Sequence, residues 1–424
     1  MKRVLAIVGV VLLSAQGSAW ASAYRIPEQS VNSTARAGAY TAYTPGADAT
    51  YFNPANMSWL ENRAQVEANG TWIHLTSISY TDARSPFLSG DSNSEDFFMP
   101  TLFAVSPDFN NFRFGFSVTA PAGLSKQWQD AYPRTFAEEF TLKVFEFNPT
   151  VSYKLNDYFS VGGGVRAVYV DGKVKSRGVV REPAIYANRD MDGDTWEAGY
   201  NLAVTLRPTE KMNLSLTYRS KVDLGVEGHA ALTTNLDRLP IPPFSPLPFS
   251  YEGDSGVEIP LPAVLSAAVS YTFFDQLTVE FQYDRTYWSD YKDLDFTYPV
   301  SLINPVLIGA FDDPVVKDWH DTDSWRLSLI YDLKNDWILM AGIAFDENPM
   351  PDGTVGFELP DSDAIIYSAG VRYKVNEDME IGAAYLYDYK KSRSVNNIAE
   401  GGRVNGTFKD ASAGLLTVGL TYKF

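Results

Sequence analysis

The chain has 424 residues with 52 acidic against 35 basic, a formal charge of −17, and that balance argues against a phosphate-backbone partner, so no nucleic acid is expected. It contains no cysteine, which excludes a disulfide framework and thiolate metal sites, and no metal or cofactor is expected. Aromatic residues reach 14 % while mean hydropathy is only −0.17; the combination fits a membrane barrel, in which lipid-facing and lumen-facing residues cancel, although a large sugar-binding β protein would share the aromatic content.

Residues 1–21, MKRVLAIVGVVLLSAQGSAWA, carry Lys2 and Arg3, an apolar run from Val4 to Leu13, and Ala19 and Ala21 at A-x-A spacing. This is a secretory signal peptide, cut after Ala21 or alternatively Ala23. Its apolar run is far short of the ~20 residues that a spanning helix needs. Residues 22–61 follow with no alternation and are rich in Ala, Gly, Ser, Thr and Asn. They are either a plug folded into a lumen or a disordered tail; Tyr24, Ile26, Tyr40, Tyr43, Tyr51 and Phe52, which call for burial, favour the plug. Near its end lies Asn53-Pro54-Ala55. Pro54 fixes its own φ and biases Asn53 away from helix, so a sharp turn is predicted there.

From residue 62 to 424 the periodicity is two. In the final segment Leu416, Val418, Leu420, Tyr422 and Phe424 share one face, and Thr417, Gly419, Thr421 and Lys423 the other. The same pattern recurs at Met212–Tyr218, Leu277–Tyr283, Trp325–Tyr331 and Ile365–Tyr373. Fourteen strands are predicted, at 63–80, 97–106, 111–122, 141–153, 158–176, 194–207, 211–227, 256–273, 276–294, 323–333, 336–346, 362–375, 378–391 and 411–424. Short turns such as SPDFNN, KLNDY and VNED alternate strictly with long loops. That rhythm predicts an all-β, antiparallel, up-and-down outer-membrane barrel with both termini on the periplasmic side, wide enough to hold residues 22–61 in its lumen.

Several blocks carry a family likeness: Asn53-Pro54-Ala55, TAPAGL at 119–124, GDTWEAGYNLAVTL with LSLTYRSKV at 193–222, and GIAFDENPMP with PDSDAIIYSAGVRYKVNED between 342 and 378. On these the chain resembles the FadL/TodX family of outer-membrane transporters for long-chain fatty acids and other hydrophobic compounds, from the signal peptide to Phe424. The resemblance implies that Asn53, Pro54 and Ala55 belong to an N-terminal hatch, and that strand three kinks inward near Pro121 and Gly123 to open a gap in the wall. Pro121 has no amide proton, so a broken ladder there is physically reasonable, as is a strand that simply ends at its loop.

Two loops are unusually apolar. LPIPPFSPLPFSY supplies Leu239, Ile241, Phe244, Leu247 and Phe249, and VSLINPVLIGAF supplies Leu302, Ile303, Leu307 and Phe311. They form either an exposed capture surface or a lid packed on itself. By strand parity Arg166, Arg219, Arg326 and Arg372 point into the lumen. There they would meet a substrate carboxylate or pair with lumen acids such as Glu280, Asp284 and Asp332.

Enzymatic readings find little support: the chain has three histidines and no G-x-S-x-G elbow. NRDMDGDTW has calcium-loop spacing at Asn188, Asp190 and Asp192, but Gly199 stands where the bidentate Glu belongs, so a solvated acidic loop is predicted. The expected function is passive uptake of a hydrophobic compound, most simply a long-chain fatty acid, with uptake of alkanes or aromatic hydrocarbons, or general diffusion through a porin, as alternatives. A monomer embedded in outer-membrane lipid and lipopolysaccharide is expected, with the strand ending at Phe424 as the handle for the barrel assembly machinery.

Overall fold

The computed structural model describes residues 23–181, 184–237 and 246–424; the predicted signal peptide, 1–21, lies outside them. No described helix is long and apolar enough to cross a membrane. The crossing is made by strands.

Fourteen antiparallel strands close into a barrel: β1 Gln65–Leu75, β2 Glu95–Val105, β3 Phe112–Gln127, β4 Glu139–Lys154, β5 Phe159–Arg181, β6 Ile185–Thr209, β7 Met212–Arg219 continuing as Val222–Thr234, β8 Ser250–Leu261 continuing as Val264–Phe273, β9 Leu277–Thr286, β10 Thr322–Asp332, β11 Trp337–Asp346, β12 Ala364–Lys374, β13 Met379–Lys390 and β14 Ser412–Lys423. Closure comes from β14 pairing along β1, Gln65 opposite Lys423 through Leu75 opposite Ala413. Outward positions are apolar, as at Leu416, Val418 and Leu420, while Thr417 and Thr421 on the same strand are buried inside. The short turns are tight hairpins: Asn110 and Asn111 both take positive φ, 55° and 70°, the backbone of a two-residue turn that matches strand twist.

The elements β5 and β6 run to 23 and 25 residues, well past their predicted ends. The run 188–194, predicted as an acidic loop, lies inside β6 and pairs on both sides, with β5 and with β7. Asp190 opposes Lys175, with Nζ to carboxylate at 3.0 Å. Opposite charges directly across a ladder stabilise it, which explains why charged sequence continues as strand.

Inside, the barrel has two zones. The short-turn half is filled by the N-terminal segment, with α1 Val31–Ala35, α2 Ala49–Phe52 and a 3₁₀ turn Pro54–Trp59. The long-loop half holds an apolar core that includes Tyr24, Trp128, Phe140, Trp288, Trp319 and Phe357. Above the wall, the loops after β1 and β13 pair into a small sheet, Ser79–Asp82 with Gly90–Asp91 and with Asn405–Lys409, the last also with Arg393–Asn396.

Candidate functional site

The N-terminal segment sits against bare wall backbone. A Cβ at Gly162 of β5 would come within 2.5 Å of the Ala55 nitrogen, and one at Gly342 of β11 within 2.2 Å of the Arg36 carbonyl carbon. Asn53 is the junction between α2 and the 3₁₀ turn. Its backbone is extended, φ −156°, and its side-chain oxygen accepts from Ala55 N at 3.1 Å. Its amide donates to Thr41 O at 2.8 Å and to Thr205 Oγ1 on β6 at 3.0 Å. Pro54 opens the turn, where a missing N–H leaves nothing unsatisfied. The predicted turn is therefore a helix-to-helix corner stitched to the wall. Of the apolar and aromatic side chains expected to be buried, Tyr24, Tyr40 and Tyr51 are, while Ile26, Tyr43 and Phe52 are half-buried.

Charge holds the segment in place. Glu280 of β9 accepts hydrogen bonds from the backbone N–H groups of Thr41, Ala42 and Tyr43, at 2.7, 2.7 and 2.9 Å, and pairs with Arg36 at 2.6 Å; both side chains are fully buried. Four interactions converge on one carboxylate, and such charge-assisted bonds are about twice as strong as neutral ones.

All four arginines placed in the lumen by parity are there, and each is engaged by acids. Arg166 meets Glu146 at 2.8 Å, and Arg219 pairs with the same carboxylate. Arg326 bridges Asp284 and Asp346, at 2.9 and 2.8 Å, and donates to Ala37 O at 2.8 Å. Arg372 bridges Glu67 and Glu380, at 2.8 and 3.1 Å, and donates to Asn32 Oδ1. Arg326 and Arg372 thus tie wall to plug. A substrate carboxylate would have to displace a resident one at each. Asp332, predicted as another lumen partner, pairs instead with Lys334 at 2.8 Å.

The wall is interrupted between β2 and β3. Their pairing is confined to Leu102–Val105 against Gly115–Val118, whereas β3 stays paired with β4 from Phe112 to Gln127, with a register shift between Thr119 and Ala122. The element β3 does not end at Pro121 but continues to Gln127. The plug occupies the vacated ladder: Ile26 N donates to Pro121 O and Gly123 N to Tyr24 O, both at 2.9 Å. The Gln29 side chain does the same for Ala120, donating to its carbonyl at 2.9 Å and accepting from its N–H at 2.8 Å.

A cavity of about 350 Å³ lies at this break. Its inner lining includes Ile73, Leu142, Ile366 and Leu386, and it extends to Phe98 and Phe145, of which Phe98 points outward from β2 and is 72 % exposed. Its lining thus includes residues from both faces of the wall. Lys126 lines it, is 5 % exposed, and makes no ion pair among the described residues; its Nζ lies 3.5 Å from Ser92 Oγ. Neither the break's plug contacts nor Lys126 carried a sequence signal beyond Pro121 itself.

The second apolar loop is mostly folded inward, and of the residues named in the first only Leu247 and Phe249 lie among the described ones. Leu302, Leu307 and Phe311 are buried, Leu247 is half-buried, and Ile303 and Phe249 are exposed; Leu239, Ile241 and Phe244 lie outside the described residues. Asn304 Nδ2 ties the two loops together, donating to Leu236 O at 2.7 Å and Pro248 O at 3.1 Å. For Leu302, Leu307 and Phe311 the arrangement is a lid, because an apolar run can bury itself against its neighbour more completely than it can bind from solvent.

A closed fourteen-stranded barrel, plugged from within and holding an apolar cavity at a break in its wall, defines an outer-membrane transporter of hydrophobic compounds. Residues 11–424 match the family described as Outer membrane protein transport protein (OMPP1/FadL/TodX). The chain belongs to that family, and its place is the outer membrane of a Gram-negative bacterium. It is 24 % identical over 425 residues to the long-chain fatty acid transport protein of Escherichia coli, covering 92 % of each chain. A Pseudomonas aeruginosa FadL homologue superposes with a TM-score of 0.82 at 21 % identity, over 95 % of this chain and 100 % of that one. The Pseudomonas putida toluene transporter TodX gives 0.71 at 17 %, also over 95 % and 100 %.

Proposed function

We propose that this chain takes up long-chain fatty acids by passive movement, with residues 22–61 as a hatch and the break beside Pro121 and Gly123 as the exit toward lipid. The observation that carries this reading is the cavity: its lining is mostly apolar and extends to Phe98 on the outer wall face, and among its cations Lys126 is 5 % exposed and, unlike Lys390, which Asp361 holds, is in no ion pair among the described residues. A neutral aromatic hydrocarbon needs no such cation, whereas a ligand carboxylate would give this buried ammonium a close partner that Ser92 Oγ at 3.5 Å does not. Taking each methylene as about the ~30 Å³ share of a water, the cavity accommodates roughly a dozen of them. Burial of a chain that long is worth on the order of 10 kcal/mol gross, so a single sealed site would trap the ligand. An opening into lipid supplies a second environment of comparable affinity.

Substrate reaches the cavity past the lid, where Phe249 and Ile303 are the exposed apolar contacts. The test is Lys126→Met. Uptake of labelled oleate by a strain carrying only this variant is expected to fall about tenfold or more, the loss of one charge-assisted contact, while toluene uptake is unchanged. Equal effects on both, or none on oleate, would sink the fatty-acid assignment and favour the hydrocarbon reading that the TodX likeness supports.

A further inference from the structure

A second cavity, about 440 Å³, lies on the outer wall near the long-loop end of β3, β4 and β5. It is polar, lined by Asn93, Gln127, Gln129, Arg134, Lys175 and Arg177 together with the carboxylates Glu138 and Glu139. Its height follows from the girdle. Phe147, Tyr169 and Trp196 form a ring cluster on the outer face, with centroids 5.6 and 5.2 Å from Trp196, and aromatic girdles mark the membrane interface. Lys175 follows Tyr169 by six residues on β5, which at ~3.3 Å per residue and a tilt of ~40° puts the pocket about 15 Å beyond the girdle. Every outward side chain of β5 between them, Asp171 and Lys173, is charged, so this stretch stands in the polar layer.

What fills that layer of a Gram-negative outer leaflet is phosphorylated saccharide. The pocket's chemistry suits it: amides for sugar hydroxyls, and three cations for phosphate oxygens. Lys175 is held by Asp190 at 3.0 Å and Arg177 by Glu138 at 3.5 Å, exposed pairs that exchange readily. Arg134 makes no ion pair among the described residues, and its Nε is buried without a hydrogen-bond partner. We infer that this pocket binds a phosphorylated core sugar of lipopolysaccharide, with Arg134 and Arg177 as the phosphate contacts. It is separate from the transport cavity and independent of what that cavity carries.

The test uses the full mature protein, delipidated in detergent, with binding measured by native mass spectrometry. Lipopolysaccharide with a complete phosphorylated core is expected to bind at least tenfold more tightly than a deep-rough form truncated after the first sugars. The double variant R134A/R177A should lose that tenfold preference, since each charge-assisted contact is worth about that much. Heat-modifiable mobility and oleate uptake should stay normal, which shows that the barrel is intact; R134K/R177K, which keeps charge but not the guanidinium fork, should restore part of the preference. Equal binding of the two lipopolysaccharide forms, retention of the preference in the double alanine variant, or competition by millimolar inorganic phosphate alone would each overturn the assignment, the last by showing a generic anion site.

Discussion

Replacing Glu280 with Ala removes the acceptor for three hatch N–H groups and the partner of Arg36 in one step. Each stranded N–H costs about 1–3 kcal/mol, and a buried charge that has lost its partner about 3–5 kcal/mol. Two effects reduce the sum: Arg36 keeps bonds to Ser328 Oγ at 3.0 Å and Tyr43 O at 2.8 Å, and water enters the lumen once the hatch loosens. A net loss of roughly 5 kcal/mol in hatch anchoring remains, a factor of several thousand in the population of the detached state. The wall loses no ladder bond, so the barrel should still run as a folded, heat-modifiable band. Liposomes carrying the variant should admit small neutral sugars much faster than those carrying the parent, and amides 41–43 should lose protection from hydrogen exchange. Glu280→Gln, which keeps an acceptor oxygen but no charge, should fall between the two. Parental sugar flux together with parental protection of those amides in Glu280→Ala would refute the latch.

Deletion of residues 24–48 should open a water-filled pore and depress oleate uptake in the same liposome and uptake assays, because no barrel strand is removed; unchanged values in both would make the segment a tail. Asn53→Ala should impair uptake more than Pro54→Ala, because Asn53 gives up three buried hydrogen bonds, at roughly 2–4 kcal/mol in all, whereas Pro54→Ala only frees φ, for less than about 1 kcal/mol; the reverse order would contradict the account of that corner. Glu358, in the loop between β11 and β12, is pushed up by burial, but the adjacent Lys317 more than offsets this and holds its carboxyl below the usual glutamate value. A depressed carboxylate stabilises above its unfolded pKa of about 4.3 and loses that contribution as pH falls through the folded value. Exchange of the amides around residues 317 and 358, corrected for intrinsic rates, should therefore be flat from about pH 7 to 5 and rise only below about 4.

Strand number and facing were legible because lipid and lumen impose opposite polarity on alternate residues: Leu416 and Thr417 need no partner to declare their sides. Strand ends were legible only where that contrast persists. Beyond Tyr169 and Trp196 the contrast inverts: the outward positions of β5 and β6 are mostly charged, while Val170, Val174, Ala187 and Met191 face inward and are buried, so the apolar lipid-facing stripe ends although the ladder continues, and Asp190 and Asp192 read as loop. The lumen arginines show the same limit. Parity placed them correctly and linked Arg326 with Asp284 as a class, but Glu280 pairs with Arg36, from a segment without periodicity. Pro121 signalled a damaged ladder; that Gln29 would mend it from 91 residues away left no trace in local pattern.

The mending has a mechanical consequence. Pro121 O, Gly123 N and both backbone groups of Ala120 take their partners from residues 24–29, and where a wall strand meets hydrocarbon each group left without a partner costs several kcal/mol. Plug and wall are therefore interlocked: the plug cannot withdraw without leaving raw strand edge facing lipid, and the edge cannot be re-covered unless the plug returns. On the proposed hatch reading, travel of the plug would be limited to what water or a passing ligand can cover at that edge, so small, substrate-filled displacements would be permitted and empty excursions suppressed. A leak-proof transporter needs no separate lock under such an arrangement, since the torn seam of the wall already clamps the stopper.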